Sequence, residues 1–336
     1  MNLSSSEIRR LLTTSDPEAV DALMAEACRV RDEVYGRRVF MRGLIEISNH
    51  CRNNCLYCGI RREAGCKRYR LSTEQIMECC QVGHDLGFRT FVLQGGEDAW
   101  FTDEVLCPLV SDIKGRYPDC AITLSLGERG AESFERLREA GADRYLLRHE
   151  TADRDHYGRL HPAEMSFDHR MECLSDLRRL GFQVGAGFMV GSPYQTLDTL
   201  MKDLRFIADF KPEMVGIGPF IPAAGTPFEN EPAGSVELTL RLLAIIRLLH
   251  PQVLLPATTA LGTLNPTGRE RAVAAGANVV MPNLSPRDTR VLYAIYNNKL
   301  ATGSEAAESV ADLRLRMQAI GMEVPVDRGD FYGYDN

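Results

Sequence analysis

Four stretches of this 336-residue chain repeat one local pattern. In each, an amphipathic helix pattern meets a glycine, and a short apolar run follows. The glycines are Gly87 before FRTFVLQ, Gly141 before ADRYLLR, Gly181 before FQVGAGFMV and Gly276 before ANVVM. A glycine just past a helix takes the left-handed conformation that lets the backbone reverse. The β-branched and aromatic runs after it read as buried strands. Helix–glycine–strand, repeated, is the pattern of a parallel sheet built from βα units. Eight strands are expected near 39–47, 89–94, 120–126, 143–149, 183–190, 213–219, 252–257 and 277–281. Helices are expected between them near 73–87, 102–116, 131–140, 167–180, 195–209, 236–249 and 267–275. Ser72-x-x-Gln75 supplies a capping box for the first of these. Eight such units predict an α/β fold of the (βα)8 TIM-barrel type, with an open doubly wound sheet as the alternative.

Two helices, near 5–13 and 17–35, precede the first strand, and another near 304–320 follows the last. The expected organisation is therefore an N-terminal helical segment (1–37), a barrel (38–300), and a C-terminal helix and tail packed on it (301–336). Connections from helix to strand are short, whereas those from strand to helix are long at 48–72, 150–166 and 220–235. In such barrels the loops after the strands converge over one mouth, where chemistry sits. The segment 221–235 reads either as a functional loop or as disorder. The apolar helix 236–249 reads either as core or as a contact surface.

The sharpest motif, SNHCRNNCLYCGIRR, places Cys51, Cys55 and Cys58 as C-x3-C-x2-C just after the first strand. Three thiolates on one loop suit a [4Fe–4S] cube, each reaching a different iron. The fourth iron is then open to an amine and a carboxylate, which S-adenosylmethionine offers together. Zinc is the competing reading, with Cys66 or His50 as a fourth ligand. Cys79, Cys80, Cys107, Cys120 and Cys173 read as structural, because free cysteine packs as a small hydrophobe. Ten cysteines behind an N-terminus without a signal-peptide core point to a reducing, cytoplasmic setting. The net charge of −7 argues against nucleic acid and anionic lipid as partners. No apolar run reaches membrane-spanning length.

At the expected mouth, strand 2 ends in Gln94-Gly95-Gly96-Glu97, where paired glycines let backbone approach a ligand. Strand 3 offers Ser125 and Glu128. Strand 4 ends in Arg148-His149-Glu150; alternation puts Arg148 and Glu150 on one side and His149 on the other. Arg170 lies on the next helix, as a possible carboxylate clamp or as an exposed helix arginine. Met189 lies in GAGFMVG, and the glycines and Pro219 of GIGPFIP offer a flat backbone surface. Thr258 and Thr259 end strand 7, and Met281 ends strand 8, with Tyr293 and Tyr296 after it.

Together ISNHCRNNCLYCGIRR, VLQGGED, RYLLRHETAD, VGIGPFIP and PATTA resemble the radical S-adenosylmethionine superfamily. Within it, the chain is similar to the HydE-type [FeFe]-hydrogenase maturases of the biotin synthase and methylornithine synthase branch, over nearly its whole length. The resemblance implies an enzyme with one [4Fe–4S] cluster on Cys51, Cys55 and Cys58, and Tyr57 packed beside it. It implies S-adenosylmethionine contacts from Gln94, Gly95, Ser125, Glu150, Arg170 and Met189, with Glu150 on the ribose and Arg170 on the carboxylate. Arg148, Thr258, Thr259, Met281 and Tyr293 would surround a small or organometallic substrate, an iron–cysteine carbonyl/cyanide synthon. Partners would include other hydrogenase maturation proteins and an electron donor. The alternatives are a mutase of the methylornithine synthase type and, in a different class, a non-catalytic zinc-stabilised scaffold. No cysteine follows Cys173, so a second cluster on C-terminal cysteines is not expected. Sulfur insertion of the biotin synthase kind is doubtful, because the strand ends lack extra cysteines.

Overall fold

The four repeat glycines do what their position requires. Gly87, Gly141, Gly181 and Gly276 have φ of 89°, 109°, 79° and 94°, each reversing the chain between a helix and the next strand. In this computed structural model, which describes residues 3–300 and 306–334, the strands so placed are parallel and form a closed ring. Gly43–Ser48, Thr90–Gly95, Ala121–Ser125, Arg144–Leu146, Gln183–Ala186 and Met214–Val215 pair in that order. Bridges from Met214 to Leu254 and from Pro256 to Val279 carry the ring onward. Val279–Val280 then pairs with Phe40–Met41, closing it. The open-sheet alternative is excluded by that closure.

Several staves are more broken than the apolar runs suggest. The seventh, expected at 252–257, is reduced to isolated bridges at Leu254 and Pro256, since a proline there cannot donate to a ladder. The fifth splits into Gln183–Ala186 and Met189–Val190 at Gly187. A Cβ at Gly187 would lie 2.0 Å from the carbonyl oxygen of Gly216, so the two glycines let neighbouring staves pinch together. The fourth stops at Leu146, and Glu150 beyond it has φ 63°, a left-handed conformation that costs energy for a residue with a side chain. Three short helices escape the periodicity: Arg154–Leu160, Thr259–Leu264 and Arg287–Arg290. None is long enough to show two turns of apolar repeat.

The helices Ser5–Thr13 and Pro17–Tyr35 pack on Val236–Leu249, whose Leu242, Leu243, Ile245 and Ile246 are fully buried. That helix is core. The predicted capping box is present, with Gln75 N donating to Ser72 Oγ (3.3 Å) and Ser72 N to Gln75 Oε1 (2.9 Å). Behind the ring, Arg144 donates to Asp330 (2.6 Å) and Arg42 to the Gly329 carbonyl (3.1 Å), so the tail covers the N-terminal end of the barrel. The last helix spans Ala306–Ala319; its expected start at 304 falls within 301–305, which lie outside the described residues, and the segment boundary at 300/301 adjoins them. Among the described residues, no helix is long and apolar enough to cross a membrane.

Candidate active site

The cysteine loop leaves the first stave at Ser48 and is held by its own arginine. The Arg68 guanidinium donates to the carbonyls of Asn49, Ile60, Arg61, Arg62 and Ala64, so one side chain fixes both arms of the loop. Asn49 adds bonds to the Lys67 and Leu292 carbonyls (both 2.8 Å). Cys51, Cys55 and Cys58 all line one cavity of about 380 Å³ at the strand C-termini. Burial pushes the Cys58 thiol up to about 12 and Cys55 well above the thiol range, and the neighbouring thiols push Cys55 further. A metal bound here must therefore displace the thiol protons.

The spacing separates those two. Tetrahedral zinc, with bonds of about 2.3 Å, needs sulfurs roughly 3.8 Å apart. Among the described residues, the single trio of His, Cys, Asp or Glu converging within 4.8 Å is His84, Asp119 and Cys120, at the far end of the sheet. The loop cysteines do not converge that closely, and neither Cys66 nor His50 lines the cavity as a fourth ligand. Three spread thiols around an open space fit a cube.

Every residue the resemblance implies for the cluster, S-adenosylmethionine or substrate lines this same cavity, from Gln94 on the second stave to Tyr293 after the eighth. Arg148 and Glu150 face it, 3.1 Å apart, while His149 points away and is fully buried 3.3 Å from Asp203. Although close, Arg148 Nη2 and Glu150 Oε2 lack hydrogen-bond alignment and remain unsatisfied, as do Arg148 Nε and Thr258 Oγ1. Buried polar atoms left open toward a cavity are normally completed by a ligand. Arg170 is no surface arginine: it is buried, donating to Glu128 Oε1 (2.6 Å) and to the Arg148 carbonyl (2.6 Å). Burial opposes its charge, but Tyr157 and Glu128 outweigh that and raise its pKa. Glu128 itself stays outside the cavity wall and anchors the arginine.

Tyr57 is positioned by a histidine. Its hydroxyl lies 3.2 Å from His161 Nε2, while His161 Nδ1 lies 3.0 Å from the Tyr157 carbonyl. Burial lowers His161 to about 3, so the ring is neutral, donates from Nδ1 and accepts from Tyr57. Leu56 and Tyr57 pack against the cluster of Leu160, Met189, Phe220 and Phe228, so Phe228 of the segment 221–235 shares a core with the cysteine loop. Of the two glycines at 95 and 96, the tighter approach is to protein: a Cβ on Gly96 would lie 2.2 Å from the His50 carbonyl oxygen.

Sequence reasoning missed an ion pair. Glu46 and Lys299 are bonded within the cavity wall; Asn283 donates to Glu46 (2.9 Å), and the ammonium donates to the Tyr293 carbonyl (2.9 Å). The available signal was Glu46 itself, one carboxylate in the apolar strand GLIEIS. Lys299 sits in a loop with no such cue.

A family model described as the Radical SAM superfamily matches residues 45–207, which contain the cysteine loop. The [FeFe] hydrogenase maturase subunit HydE of Thermotoga maritima is 42% identical over 323 residues, covering 96% of this chain and 92% of its own. The chain belongs to the radical SAM superfamily. It is accordingly an S-adenosylmethionine-cleaving enzyme that binds a [4Fe–4S] cluster and S-adenosylmethionine. This radical SAM enzyme is also 30% identical to the 3-methylornithine synthase of Methanosarcina acetivorans, over 98% of this chain and 92% of that one. The crystal structure of methylornithine synthase superposes with a TM-score of 0.86 at 29% identity, covering 96% and 94% of the two chains. The maturase HydG shares the fold at 19% identity, with a TM-score of 0.77, over 95% of this chain and 72% of its own.

Proposed function

We propose that this radical SAM enzyme acts in assembly of the [FeFe]-hydrogenase centre, on a small iron–cysteine carbonyl/cyanide species, as a HydE-type maturase. The observation that carries the reading is the 42% identity to the Thermotoga maritima maturase over nearly both full lengths, against 30% to the methylornithine synthase. Cys51, Cys55 and Cys58 hold the cluster, which when bound supplies the electron that splits S-adenosylmethionine into methionine and a 5′-deoxyadenosyl radical.

The protein's own part is orientation and exclusion of water. Gln94 and Ser125 present polar groups from adjacent, paired positions on the second and third staves. Glu150, aimed inward by its left-handed backbone, accepts both ribose hydroxyls. Arg170, kept charged by Glu128, balances the methionine carboxylate from behind, and Arg148 faces the substrate beside Thr258, Thr259, Met281 and Tyr293. Gln94 Nε2 lies 3.4 Å from the Tyr293 hydroxyl, linking the nucleoside side to the substrate side. Met189, packed on Phe220 and Phe228, seals the wall under the cysteine loop.

Anaerobic reconstitution tests the cluster assignment. The wild type and Cys66→Ser should hold about four irons per chain and cleave S-adenosylmethionine under reduction. Cys55→Ser should do neither, and retained cleavage by that variant would refute the assignment. Maturation of apo-hydrogenase, assayed beside lysine rearrangement, tests the substrate; activity in the second assay alone replaces the maturase reading with the mutase.

A further inference from the structure

Cys51 lies between two cavities. On one side is the active-site space; on the other is a groove of about 230 Å³ open to the exterior. Glu97 is also shared, and the outer groove is lined by Arg52, Arg62, Arg68 and Arg70. From Arg52 to Arg70 the chain carries six basic side chains and one acidic one, in a protein whose net charge is −7.

The ion pairs in this groove are lopsided in exposure. Asp98 is 2% exposed and its partner Arg70 37%; Glu97 is 9% exposed and its partner Arg52 62%. The carboxylates thus lie inside and steer guanidinium groups outward. Arg62 is 51% exposed and makes only long ion pairs, to Glu164 (3.5 Å) and Glu63 (3.9 Å), both of them exposed, and Lys67 stands exposed on the same loop. Arg68 satisfies backbone carbonyls, so its charge has no carboxylate set against it among its described hydrogen bonds. The outer face of the cysteine loop is therefore a positive rim on an acidic protein. Such an arrangement steers an oppositely charged partner to one spot and repels it elsewhere.

We propose that this arginine-lined groove docks an acidic, low-potential one-electron carrier protein, and that Cys51 is where its electron enters. The inference rests on the radical SAM reading, in which each cleavage needs one external electron. The carrier loses one electron, the cluster gains one, and no atom or proton changes place. Cys51 is the ligand suited to this because it alone of the three also lines the outer groove.

The test uses the reconstituted holoenzyme and an oxidised bacterial two-cluster ferredoxin as probe, titrated at low and at physiological ionic strength. Arg62→Glu should weaken ferredoxin binding about tenfold at low salt and flatten its salt dependence. Arg52→Gln, which leaves an amide against Glu97, should move affinity the same way by a smaller factor. Reduced ferredoxin should reduce the variant clusters correspondingly more slowly, followed by absorbance, while photoreduced deazaflavin reduces all three proteins at one rate. Ferredoxin affinity unchanged in both variants overturns the proposal, as does equal slowing with deazaflavin, since the charges would then be acting on the cluster itself. A wild type that binds no iron, or whose reduced form cleaves no S-adenosylmethionine, defeats the underlying radical SAM reading instead.

Discussion

Replacing Gly96 with alanine asks how tightly the second stave supports the cysteine loop. Neither Gly95 nor Gly96 has a positive φ, so an alanine at either is judged by space alone. At Gly96 the new Cβ would stand 2.2 Å from the His50 carbonyl oxygen and 2.8 Å from the Cys51 Cβ. Ordinary contact begins at 3.4 Å, so the backbone carrying Cys51 must retreat by about 1.2 Å. That obstacle is peptide backbone, pinned by Gly96 N on Ser48 O (3.1 Å) and Arg52 N on Glu97 O (3.0 Å), so it cannot swing aside. Overpacking of this kind costs about 1–3 kcal/mol, small enough for the barrel to survive. Metal ligands, by contrast, tolerate displacements of only about 0.2 Å. At Gly95 the nearest atom to a Cβ is Ser48 O at 3.3 Å, which needs almost no adjustment. Gly96→Ala should therefore reconstitute with less than about one iron per chain while keeping a cooperative melt, and Gly95→Ala should hold close to about four. Iron analysis and the electron paramagnetic signal of the reduced protein read both. Full iron in Gly96→Ala, or equal loss in the two variants, would show that the glycine pair does not set the position of Cys51.

Two further perturbations test the buried charges. Lys299→Met strands the fully buried Glu46 and should cost about 3–5 kcal/mol in urea unfolding, with Lys299→Met/Glu46→Gln recovering much of it; additive losses would mean the pair is not coupled. Burial lowers His250 from 6.5 to about 4, and its ring donates to the Pro212 carbonyl (3.2 Å). The unfolded chain then binds a proton that the folded one refuses, so stability is intact above 6.5 and falls as pH drops toward 4. At about 1.36 kcal/mol per unit the full loss is about 3 kcal/mol, and His250→Gln should flatten that limb of the unfolding curve between pH 7 and 4.5. An unchanged slope in the variant would assign the acid limb elsewhere, with His156 and His161, both lowered by burial, as the next groups to replace.

What could be read in advance follows the strength of local signals. The repeat glycines announce the barrel because each marks a left-handed backbone that few residues other than glycine adopt cheaply, and eight such units leave few ways to bury their strands. The cysteine loop is legible because its donors are adjacent in sequence. Arg170 is ambiguous on sequence for the opposite reason: an arginine on a helix is ordinary, and only the approach of Glu128, forty-two positions away, buries it and fixes its charge. Lys299 is illegible altogether, since its partner Glu46 lies 253 residues earlier and no periodicity links the two.

The same distinction bears on the broken staves. A strand-end residue such as Glu150 is expected to face the mouth by alternation, yet the regular stave ends at Leu146, pairing returns at Glu150 only as an isolated parallel bridge to Phe188, and Glu150 there has a left-handed backbone. The alternation argument names the right face although the strand that justifies it is interrupted. What maintains the direction is the hydrogen bond from Glu150 N to the Gly187 carbonyl (3.0 Å), at the point where the fifth stave itself breaks. The two interruptions therefore sit side by side, one supplying the acceptor that holds the other. A regular ladder through this point would aim Glu150 and Arg148 along parallel lines. The break brings their charged ends to 3.1 Å as an ion pair without a hydrogen bond, and that leaves hydrogen-bonding capacity on both for a ligand.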